Sequence, residues 1–216
     1  MPSPAEPLRV AGIVLAAGAA RRMGDNKMRL RLEGEPLVRR AARRALAAGL
    51  EPVIVVIGRD ADEVRAEVAD LPCDFVVNPD FAGPTSGSLH LGLNRLPLDV
   101  GAAVVILGDM PAVTDSMIRA LLAAARSSSA PLLVSRYGDV TAPPLLFRRA
   151  LFPELLAWTG EGCGKAVVQR HTDDAVFLDW PTASLTDIDT PADFAAASGS
   201  PGGPQGWNLS PKSSVT

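Results

Sequence analysis

The chain has 216 residues, of which 47% are hydrophobic and only 5% aromatic, and its formal net charge at pH 7 is −3. This length fits one domain of ordinary size, and a sequence pI near 5.4 excludes a general basic surface for nucleic acid. No apolar run approaches the roughly 18 residues of a membrane span, no secretory signal pattern opens the chain, and two cysteines cannot build a disulfide framework. We therefore expect a cytoplasmic α/β protein that binds neither nucleic acid nor membranes.

Short apolar strands alternate with helical segments along most of the chain. Residues 10–15 form a continuous apolar run that ends in a glycine-containing loop, which is typical of a buried parallel strand. Residues 36–48 place their apolar side chains at helical spacing. The further predicted strands are 53–57, 75–77, 102–107, 132–135, 145–147 and 175–178, and the further predicted helices are 61–69, 85–93, 115–125, 150–156, 165–171 and 193–197. This alternation predicts right-handed crossovers and a mostly parallel sheet.

Helix starts and the end of the domain are also predicted. Asp60, Thr114 and either Thr85 or Ser86 are the expected N-caps. From residue 198 onward the chain consists of Gly, Pro, Ser and polar residues, which bury too little apolar surface to offset the cost of ordering. We expect one domain over 1–197 and a disordered tail over 198–216.

The loop after the first strand carries the most information about function. Residues 16–20 are all Ala or Gly, so the backbone can come close to a ligand and point its N–H groups at phosphate oxygens. Arg22 and Lys27 follow, and both could neutralise a triphosphate. Ligands of open parallel sheets bind beyond the carboxyl ends of the strands, where this loop lies. The alternative interpretation is a tight turn followed by a solvated basic stretch.

Two better-known phosphate motifs are absent. Gly18 and Gly24 do not make the G-x-G-x-x-G dinucleotide fingerprint. The later segment 160–165 resembles a P-loop, but Thr159 replaces its first glycine and Ala166 replaces its Ser/Thr. We interpret that segment as the start of a helix.

Three aspartates are candidate metal ligands. Asp109 follows the strand at 102–107 and should face the same sheet edge as the first loop. Mg²⁺ binds through one or two carboxylates together with phosphates and water, so one well-placed Asp can anchor it. Asp187 and Asp189 lie on the same side of an extended segment, and either could complete the site. The alternatives are a local loop role for Asp109 and helix capping by Asp189 or Thr190.

Other polar residues have simpler interpretations. Ser86, Gly87 and Ser88 enter a helix, where they could bind a base or ribose or could merely cap it. Asn78 ends a strand and could contact nucleotide or form a turn. We expect both histidines to be helix-surface residues, and we expect a solvated face with acidic neighbours for the helical arginines Arg39, Arg40, Arg43 and Arg44.

A family resemblance joins these segments. Leu15-Ala16-Ala17-Gly18, Arg22-Met23-Gly24 and Lys27 together resemble the signature of the MobA-like nucleotidyltransferases, especially the molybdenum cofactor cytidylyltransferases. The likeness continues, in order, at Gly34-Glu35-Pro36-Leu37, Asn78-Pro79, Ser88-Leu89, Gly108-Asp109-Met110-Pro111 and Asp187-Ile188-Asp189-Thr190-Pro191, so it covers about residues 10–195. It implies a three-layer, Rossmann-like α/β fold of the nucleotide-diphospho-sugar transferase (GT-A-like) type.

The resemblance also implies an activity. It points to Mg²⁺-dependent transfer of CMP from CTP to a molybdopterin-type cofactor, with release of pyrophosphate and a molybdenum hydroxylase apoenzyme as a further partner. Arg22, Lys27 and Asp109 would be catalytic, and Asp109 with Asp189, preferred over Asp187, would hold the metal. The implied nucleotide-binding residues are Leu15, Ala16, Ala17, Gly18, Arg22, Lys27, Asn78, Ser86, Gly87, Ser88 and Asp109. The Ala-Ala-Gly sequence of this loop resembles that of cytidylyl enzymes, whereas guanylyl enzymes usually have Ala-Gly-Gly.

Alternatives to this activity remain open, because a fold alone does not determine function. They are guanylyl or other nucleotidyl transfer to a different phosphate acceptor, an NAD(P)H-dependent oxidoreductase of the nicotine blue reductase type, and a non-catalytic nucleotide- or cofactor-binding chaperone. Three positions depart from the family pattern. Ala20 and His90 replace a common Ser or Gly and a common Arg, and Ala142-Pro143-Pro144 stands where cytidylyl enzymes usually show Gly-His-Pro or Gly-Asn-Pro.

Overall fold

The computed structural model describes residues 8–18 and 26–198 of the chain. Arg22 and Ala20 lie outside the described residues, and so does the predicted tail apart from Ser198. The disorder of that tail and the single domain over 1–197 therefore stay predictions.

A seven-stranded sheet forms the middle layer, in the order β5-β4-β1-β6-β8-β7-β9. The strands are β1 Val10–Ala16, β2 Arg31–Leu32, β3 Glu35–Pro36, β4 Val53–Ile57, β5 Asp74–Val77, β6 Ala102–Leu107, β7 Leu132–Tyr137, β8 Val140–Arg148 and β9 Val176–Trp180. Only β8 runs against its neighbours β6 and β7, and the β2–β3 pair is a separate small ladder. The prediction of a mostly parallel α/β sheet is confirmed.

Helices cover both faces of this sheet. They are α1 Leu37–Ala47, α2 Ala61–Ala66, α3 Thr85–Asn94, α4 Asp115–Ser127, α5 Phe152–Ala157, α6 Cys163–Arg170 and α7 Pro191–Ala197. The helices α1, α2 and α4 pack with one face of the sheet in one hydrophobic cluster, and α3, α5 and α6 pack on the other face in a second cluster. Strands buried on both faces explain the continuous apolar runs in the sequence. Within the part of the chain that the structure describes, no helix has the length and hydropathy needed to cross a bilayer.

One predicted N-cap, Asp60, occupies the predicted position without a side-chain hydrogen bond, and the predicted cap of α3 is misplaced by one or two residues. Asp60 adopts a left-handed conformation with φ of 52° and makes no capping hydrogen bond, and α2 ends at Ala66 instead of residue 69. Thr85 lies inside α3, whose N-cap is Pro84 without a side-chain cap. Thr114 does cap α4, since its Oγ1 accepts a hydrogen bond of 3.3 Å from the Met117 amide.

The β7–β8 hairpin is longer than the sequence predicts. Gly138 adopts a φ of 63° at its turn, and Tyr137 pairs with Val140 across it. β8 therefore covers 140–148 rather than the predicted 145–147, because its first half is polar or proline-containing and has no apolar periodicity to reveal it.

The order of strands brings two loops together. β1 and β6 are neighbours, with Leu15 paired to Leu107, so the segments after both strands emerge at one edge of the sheet. The segment before α7 reaches the same edge, where the Ile188 amide donates a 3.0 Å hydrogen bond to the Asp109 carbonyl. Ile188 itself is fully buried in a small cluster with Leu30, Leu32 and Leu37.

Close packing between α3 and the sheet gives a test of this architecture. A Cβ added at Gly92 would lie 2.6 Å from Ile13 Cγ2 and 3.3 Å from Val56 Cγ2, so Gly92→Ala forces buried β-branched side chains to move. We expect Gly92→Ala to lower the free energy of unfolding by about 1–3 kcal/mol, as overpacking does, measured by urea denaturation.

The control is Gly87→Ala in the same helix. A Cβ there has its nearest neighbour, Asn78 Nδ2, at 4.0 Å, and Ala in a helix is more stable than Gly by roughly 0.5–1 kcal/mol. Equal stability of the two variants would show that α3 does not approach β1 as described.

Candidate active site

Lys27 is held at the sheet edge by a short turn that begins with Asn26. The Asn26 Oδ1 accepts a 3.1 Å hydrogen bond from the Met28 amide, and its Nδ2 donates one of 2.7 Å to the Arg59 carbonyl. Residues Lys27–Arg29 form one turn of 3₁₀ helix. Lys27 is only 8% exposed, so its ammonium needs compensating charge.

Two carboxylates supply that charge. Lys27 Nζ lies 2.5 Å from Asp109 Oδ2 and 2.8 Å from Asp189 Oδ1. Burial alone would lower the pKa of Lys27, but the charges and hydrogen bonds of Asp109 and then Asp189 outweigh it and raise this pKa. The ammonium therefore carries its full charge at neutral pH and joins three segments that are far apart in the chain.

Asp189 reaches Lys27 because its neighbours are fixed. Thr190 and Asp193 form a capping box at the start of α7, in which Thr190 Oγ1 accepts from the Asp193 amide at 3.2 Å. Capping is thus done by Thr190, and the Asp189 side chain is available to the ion pair. Asp187 has a raised pKa because of burial first and then the nearby charges of Asp109 and Asp189.

The loop after Asp109 is braced by α1. Arg44 Nη1 donates hydrogen bonds of 2.5 Å to the carbonyls of both Pro111 and Val113. The expectation of a solvated arginine face is wrong for Arg44, and also for Arg40, which is 8% exposed and bonds the Leu32 carbonyl. Arg44 thus satisfies loop carbonyls, and Arg40 satisfies a carbonyl of β2. The expected acidic neighbours are present for Arg39, Arg40 and Arg43, which pair with Asp70, Glu33 and Glu35.

A cleft of about 510 Å³ opens above this ion pair. Of the predicted site residues, those that line it are Leu15, Ala17, Gly18, Lys27, Ser88, Asp109 and Asp189. Its floor is charged and its remaining walls are made largely of small or apolar groups. Arg22 cannot be placed, because it lies outside the described residues.

Four predicted nucleotide-binding residues do not line this cleft: Ala16, Asn78, Ser86 and Gly87. The Ala16 side chain is packed in the sheet core, at 2% exposure. The Asn78 amide is used locally, since Nδ2 donates to Ser88 Oγ at 2.9 Å and Oδ1 accepts from the Asp80 amide at 2.9 Å. Ser86 lines a neighbouring cavity instead.

The cleft also contains residues that sequence reasoning missed. Phe81 and Gly83 lie on one wall, and Glu161 closes the far side. Glu161 Oε2 accepts hydrogen bonds from Thr85 Oγ1 at 3.0 Å and from the Thr85 amide at 3.4 Å. The sequence indicates the start of a helix for the segment around Glu161, but no local pattern indicated that it reaches Thr85 in α3, 76 residues away in sequence.

A divalent cation fits this arrangement only together with a ligand. Among residues 8–18 and 26–198, no three acidic, His or Cys side chains are grouped as a complete metal site. Asp109 and Asp189 do converge on one point, and Mg²⁺ characteristically takes one or two carboxylates with phosphates and water as its other ligands. The donor set therefore suits a metal that arrives with a phosphorylated substrate.

The histidine and cysteine side chains do not line the cleft. His90 Nε2 lies 2.9 Å from the Leu155 carbonyl, and His171 Nε2 lies 2.7 Å from Glu154 Oε2, both away from the cleft. Burial raises the pKa of both Cys73 and Cys163, which disfavours the reactive thiolates. The described cleft is thus lined by one ammonium group and by carboxylates, which are groups that act on phosphates through electrostatic interactions.

Comparison with known proteins agrees with that description. The model of the MobA-like NTP transferase domain matches residues 12–176. The purine catabolism protein PucB of Bacillus subtilis is 29% identical over 85% of this chain and 93% of its own length. A probable molybdenum cofactor guanylyltransferase of Opitutus terrae is 34% identical over 62% of this chain and 63% of its own. The bifunctional protein GlmU of Halorhodospira halophila is 37% identical over 61% of this chain, which spans only 27% of GlmU.

Solved structures share the whole architecture. Rv0371c from Mycobacterium tuberculosis H37Rv has a TM-score of 0.80 and 28% identity, covering 90% of this chain and 100% of that one. A complex of the same protein with manganese has a TM-score of 0.76 and 27% identity, covering 89% of this chain and 99% of that one.

The crowding of carboxylates predicts a pH-dependent effect of Asp187→Asn. The pKa of Asp187 is raised in the folded protein. The contribution of this carboxyl group to folding stability is therefore lost as the pH rises through that pKa. At neutral pH the ionised group lowers the free energy of unfolding. We expect Asp187→Asn to raise the free energy of unfolding at pH 7 by at most about 1 kcal/mol, because solvent screens the charge, and to have no effect well below the ordinary pKa of 3.8. Thermal unfolding at each pH measures this as a higher Tm at pH 7 only.

Asp193→Asn serves as the contrasting control. Its pKa is lowered by hydrogen bonds from Thr190 and the Asp189 amide, so its loss should destabilise the protein at pH 7. A stabilising effect of Asp187→Asn that persists unchanged at low pH would contradict the electrostatic explanation.

Proposed function

Since the chain belongs to the MobA-like NTP transferase domain family, we propose that this nucleotidyltransferase moves CMP from CTP to the phosphate of a molybdopterin-type cofactor and releases pyrophosphate. The observation that carries the proposal is the Lys27 ammonium at the floor of the cleft, shared between Asp109 and Asp189. A cation and two carboxylates at one sheet edge are what binding a metal–triphosphate complex requires.

Lys27 would bind the triphosphate. Its pKa is raised, so it is a full positive charge that can exchange a carboxylate partner for a phosphate oxygen. Leu15, Ala17 and Gly18 line the cleft beside it and include two small residues, so backbone N–H groups can approach phosphate closely. Arg22 stays a proposed second cation, on the strength of its place in the sequence.

Asp109 and Asp189 would hold Mg²⁺. When bound there, the ion would supply positive charge that disperses the negative charge of the departing pyrophosphate. The manganese complex of Rv0371c supports a divalent cation in this fold, and Asp109 is favoured as the anchor because its backbone is braced by Arg44 and Ile188.

The chemistry needs no protein nucleophile. An oxygen of the acceptor's phosphate monoester, already ionised near neutral pH, forms a bond to the α-phosphorus of CTP. The bond from that phosphorus to the bridging oxygen breaks, and pyrophosphate leaves with the electron pair. The residues only align the two phosphates and stabilise charge, which agrees with two histidines that do not line the cleft.

The proposed base and acceptor follow from the first loop and from the family. The loop sequence Leu15-Ala16-Ala17-Gly18 favours CTP as the nucleotide substrate. Guanylyl transfer is the second candidate, because the Opitutus terrae relative is named a probable molybdenum cofactor guanylyltransferase. A cytoplasmic location and delivery of the product to a molybdenum hydroxylase apoenzyme also belong to the proposal.

The proposal predicts the behaviour of Asp109→Asn. Asp109→Asn removes the carboxylate charge that would anchor the metal and keeps the size of the side chain. We therefore expect the rate of pyrophosphate release with CTP, Mg²⁺ and molybdopterin to fall at least about 100-fold. A loss of this size is typical when one electrostatic contact in catalysis is removed. A coupled pyrophosphate assay measures this, with circular dichroism to verify the fold. Turnover close to wild type would remove Asp109 from the site.

Lys27→Ala should weaken nucleotide binding itself. We expect the thermal stabilisation by Mg²⁺–CTP to disappear, because stabilisation by a ligand depends on its affinity. The wild-type protein should be screened in parallel with CTP, GTP, ATP and NADPH, each with and without Mg²⁺. Unchanged stabilisation of the variant would contradict the phosphate role of Lys27, and a wild-type response to NADPH alone would favour an oxidoreductase.

A further inference from the structure

The loop between α5 and α6 forms the far wall of the cleft. It covers residues 158–162, and α6 follows it directly. Glu161 lines the cleft, whereas Gly162 lines a neighbouring cavity of about 190 Å³. The loop therefore lies between the two spaces, and we call it the 158–162 loop.

The backbone of the 158–162 loop turns at two glycines. Gly160 has a φ of 104° and Gly162 has a φ of 71°, in the left-handed region that residues with a Cβ rarely adopt. Apart from chain neighbours, a Cβ at either position would have no atom within 4 Å, so the loop is not packed against the rest of the protein there. Glu161 thus lies between two positions at which the backbone can rotate without a steric clash.

Trp158 holds the start of the loop to α6. The Trp158 Nε1 donates a 3.1 Å hydrogen bond to the Glu161 carbonyl. The centroid of the Trp158 ring lies 5.2 Å from the Arg170 Cζ, which places a guanidinium cation over the ring. The loop is therefore attached on its own side of the cleft by aromatic and backbone groups, which leaves the Glu161 side chain to reach across to α3.

The Glu161 carboxylate supplies a cap that α3 otherwise lacks. The N-cap of α3 is Pro84, which makes no side-chain capping hydrogen bond, so the first amides of the helix need a partner from elsewhere. Glu161 Oε2 accepts 3.0 Å and 3.4 Å hydrogen bonds from Thr85 Oγ1 and the Thr85 amide, and the helix dipole favours a carboxylate at this end. Within residues 8–18 and 26–198, no other hydrogen bond joins the 158–162 loop to α3.

This contact is weak enough to open. Thr85 and Glu161 are both exposed, and a hydrogen bond between exposed groups adds little net stability because water replaces each partner. Once the contact opens, the glycines on either side of Glu161 allow the loop to move away from α3. The far wall of the cleft is thus held closed by one reversible contact.

We propose that the 158–162 loop is a lid on the cleft and that the contact between Glu161 and Thr85 is its latch. With the latch formed, the loop closes the far side of the cleft. With the latch broken, the loop moves at Gly160 and Gly162, and the nucleotide enters or leaves. The identity of the retained ligand, Mg²⁺–CTP, rests on the proposed function, whereas the latch rests on the contacts of the loop.

Two substitutions of Thr85 test the latch without ligand. Thr85→Val keeps the size of the side chain and removes the hydroxyl donor, whereas Thr85→Ser keeps the donor. Both variants retain Glu161, so a glutamyl endopeptidase can cut the bond between Glu161 and Gly162 whenever the loop is open. We expect this cleavage to be about three- to tenfold faster in Thr85→Val, as loss of one exposed hydrogen bond implies, and unchanged in Thr85→Ser.

Cleavage after Glu63 is the control for overall stability. Glu63 is exposed on α2 and is not part of the cleft, so its cleavage rate should be the same in all three proteins. Mass spectrometry of the fragments separates the two cleavage sites.

The rates of nucleotide exchange connect the latch to the cleft. Stopped-flow tryptophan fluorescence gives the association and dissociation rates of Mg²⁺–CTP for the full chain. Because the latch holds the lid in the free and the occupied protein alike, we expect Thr85→Val to raise both rates by the factor seen in cleavage and to leave Kd within about twofold. A direct nucleotide contact of Thr85 would instead weaken affinity through the dissociation rate alone.

The outcomes separate the lid from the proposed function. Equal cleavage at Glu161 in Thr85→Val and Thr85→Ser overturns the latch, and faster cleavage with unchanged exchange rates overturns the lid. If Thr85→Val is also cut faster after Glu63, the exchange rates of Glu161→Ala, which breaks the latch from the loop side, decide between the same two results. Failure of the wild type to bind Mg²⁺–CTP counts against the proposed function, while the cleavage comparison still decides the latch.

Discussion

The structure of the cleft depends on one ammonium group shared between two carboxylates. Lys27 joins the segments that follow β1 and β6 to the segment that precedes α7. Asp109, Asp187 and Asp189 stand around it, so the described floor of the cleft carries more negative than positive charge. A polyanion would be repelled from such a floor unless further cations accompany it. That imbalance gives a physical reason for nucleotide to bind as its metal complex.

Around this ion pair, hydrogen bonds to the backbone also hold the segments that carry Asp109 and Asp189. The Ile188 amide bonds the Asp109 carbonyl, and Arg44 bonds two carbonyls in the loop that follows. Ile188 is buried in an apolar cluster with Leu30, Leu32 and Leu37, which are not among the proposed site residues. Preorganisation of this kind lets charged groups act on a substrate without reorganising during the reaction.

Much of this arrangement could be predicted because it follows from local pattern and from sheet geometry. Val53–Ile57 and Ala102–Leu107 are found as predicted, since strands buried on both faces show as apolar runs. The approach of Lys27 to Asp109 follows from parallel strands ending at one edge. Side-chain hydrogen bonds between distant segments left no such signal. The sequence predicted a solvated face for Arg44, a nucleotide contact or a turn for Asn78, and the start of a helix for the segment with Glu161. Each of these side chains has a partner that only the folded chain brings near.

The most direct test is a crystal structure with a non-hydrolysable CTP analogue and Mg²⁺. If the cleft is a nucleotidyl transfer site, the Lys27 ammonium leaves Asp109 for a phosphate oxygen, and the metal lies between the Asp109 and Asp189 carboxylates and the triphosphate. An intact pair of Lys27 with both aspartates, with the analogue bound elsewhere or not at all, would contradict the account.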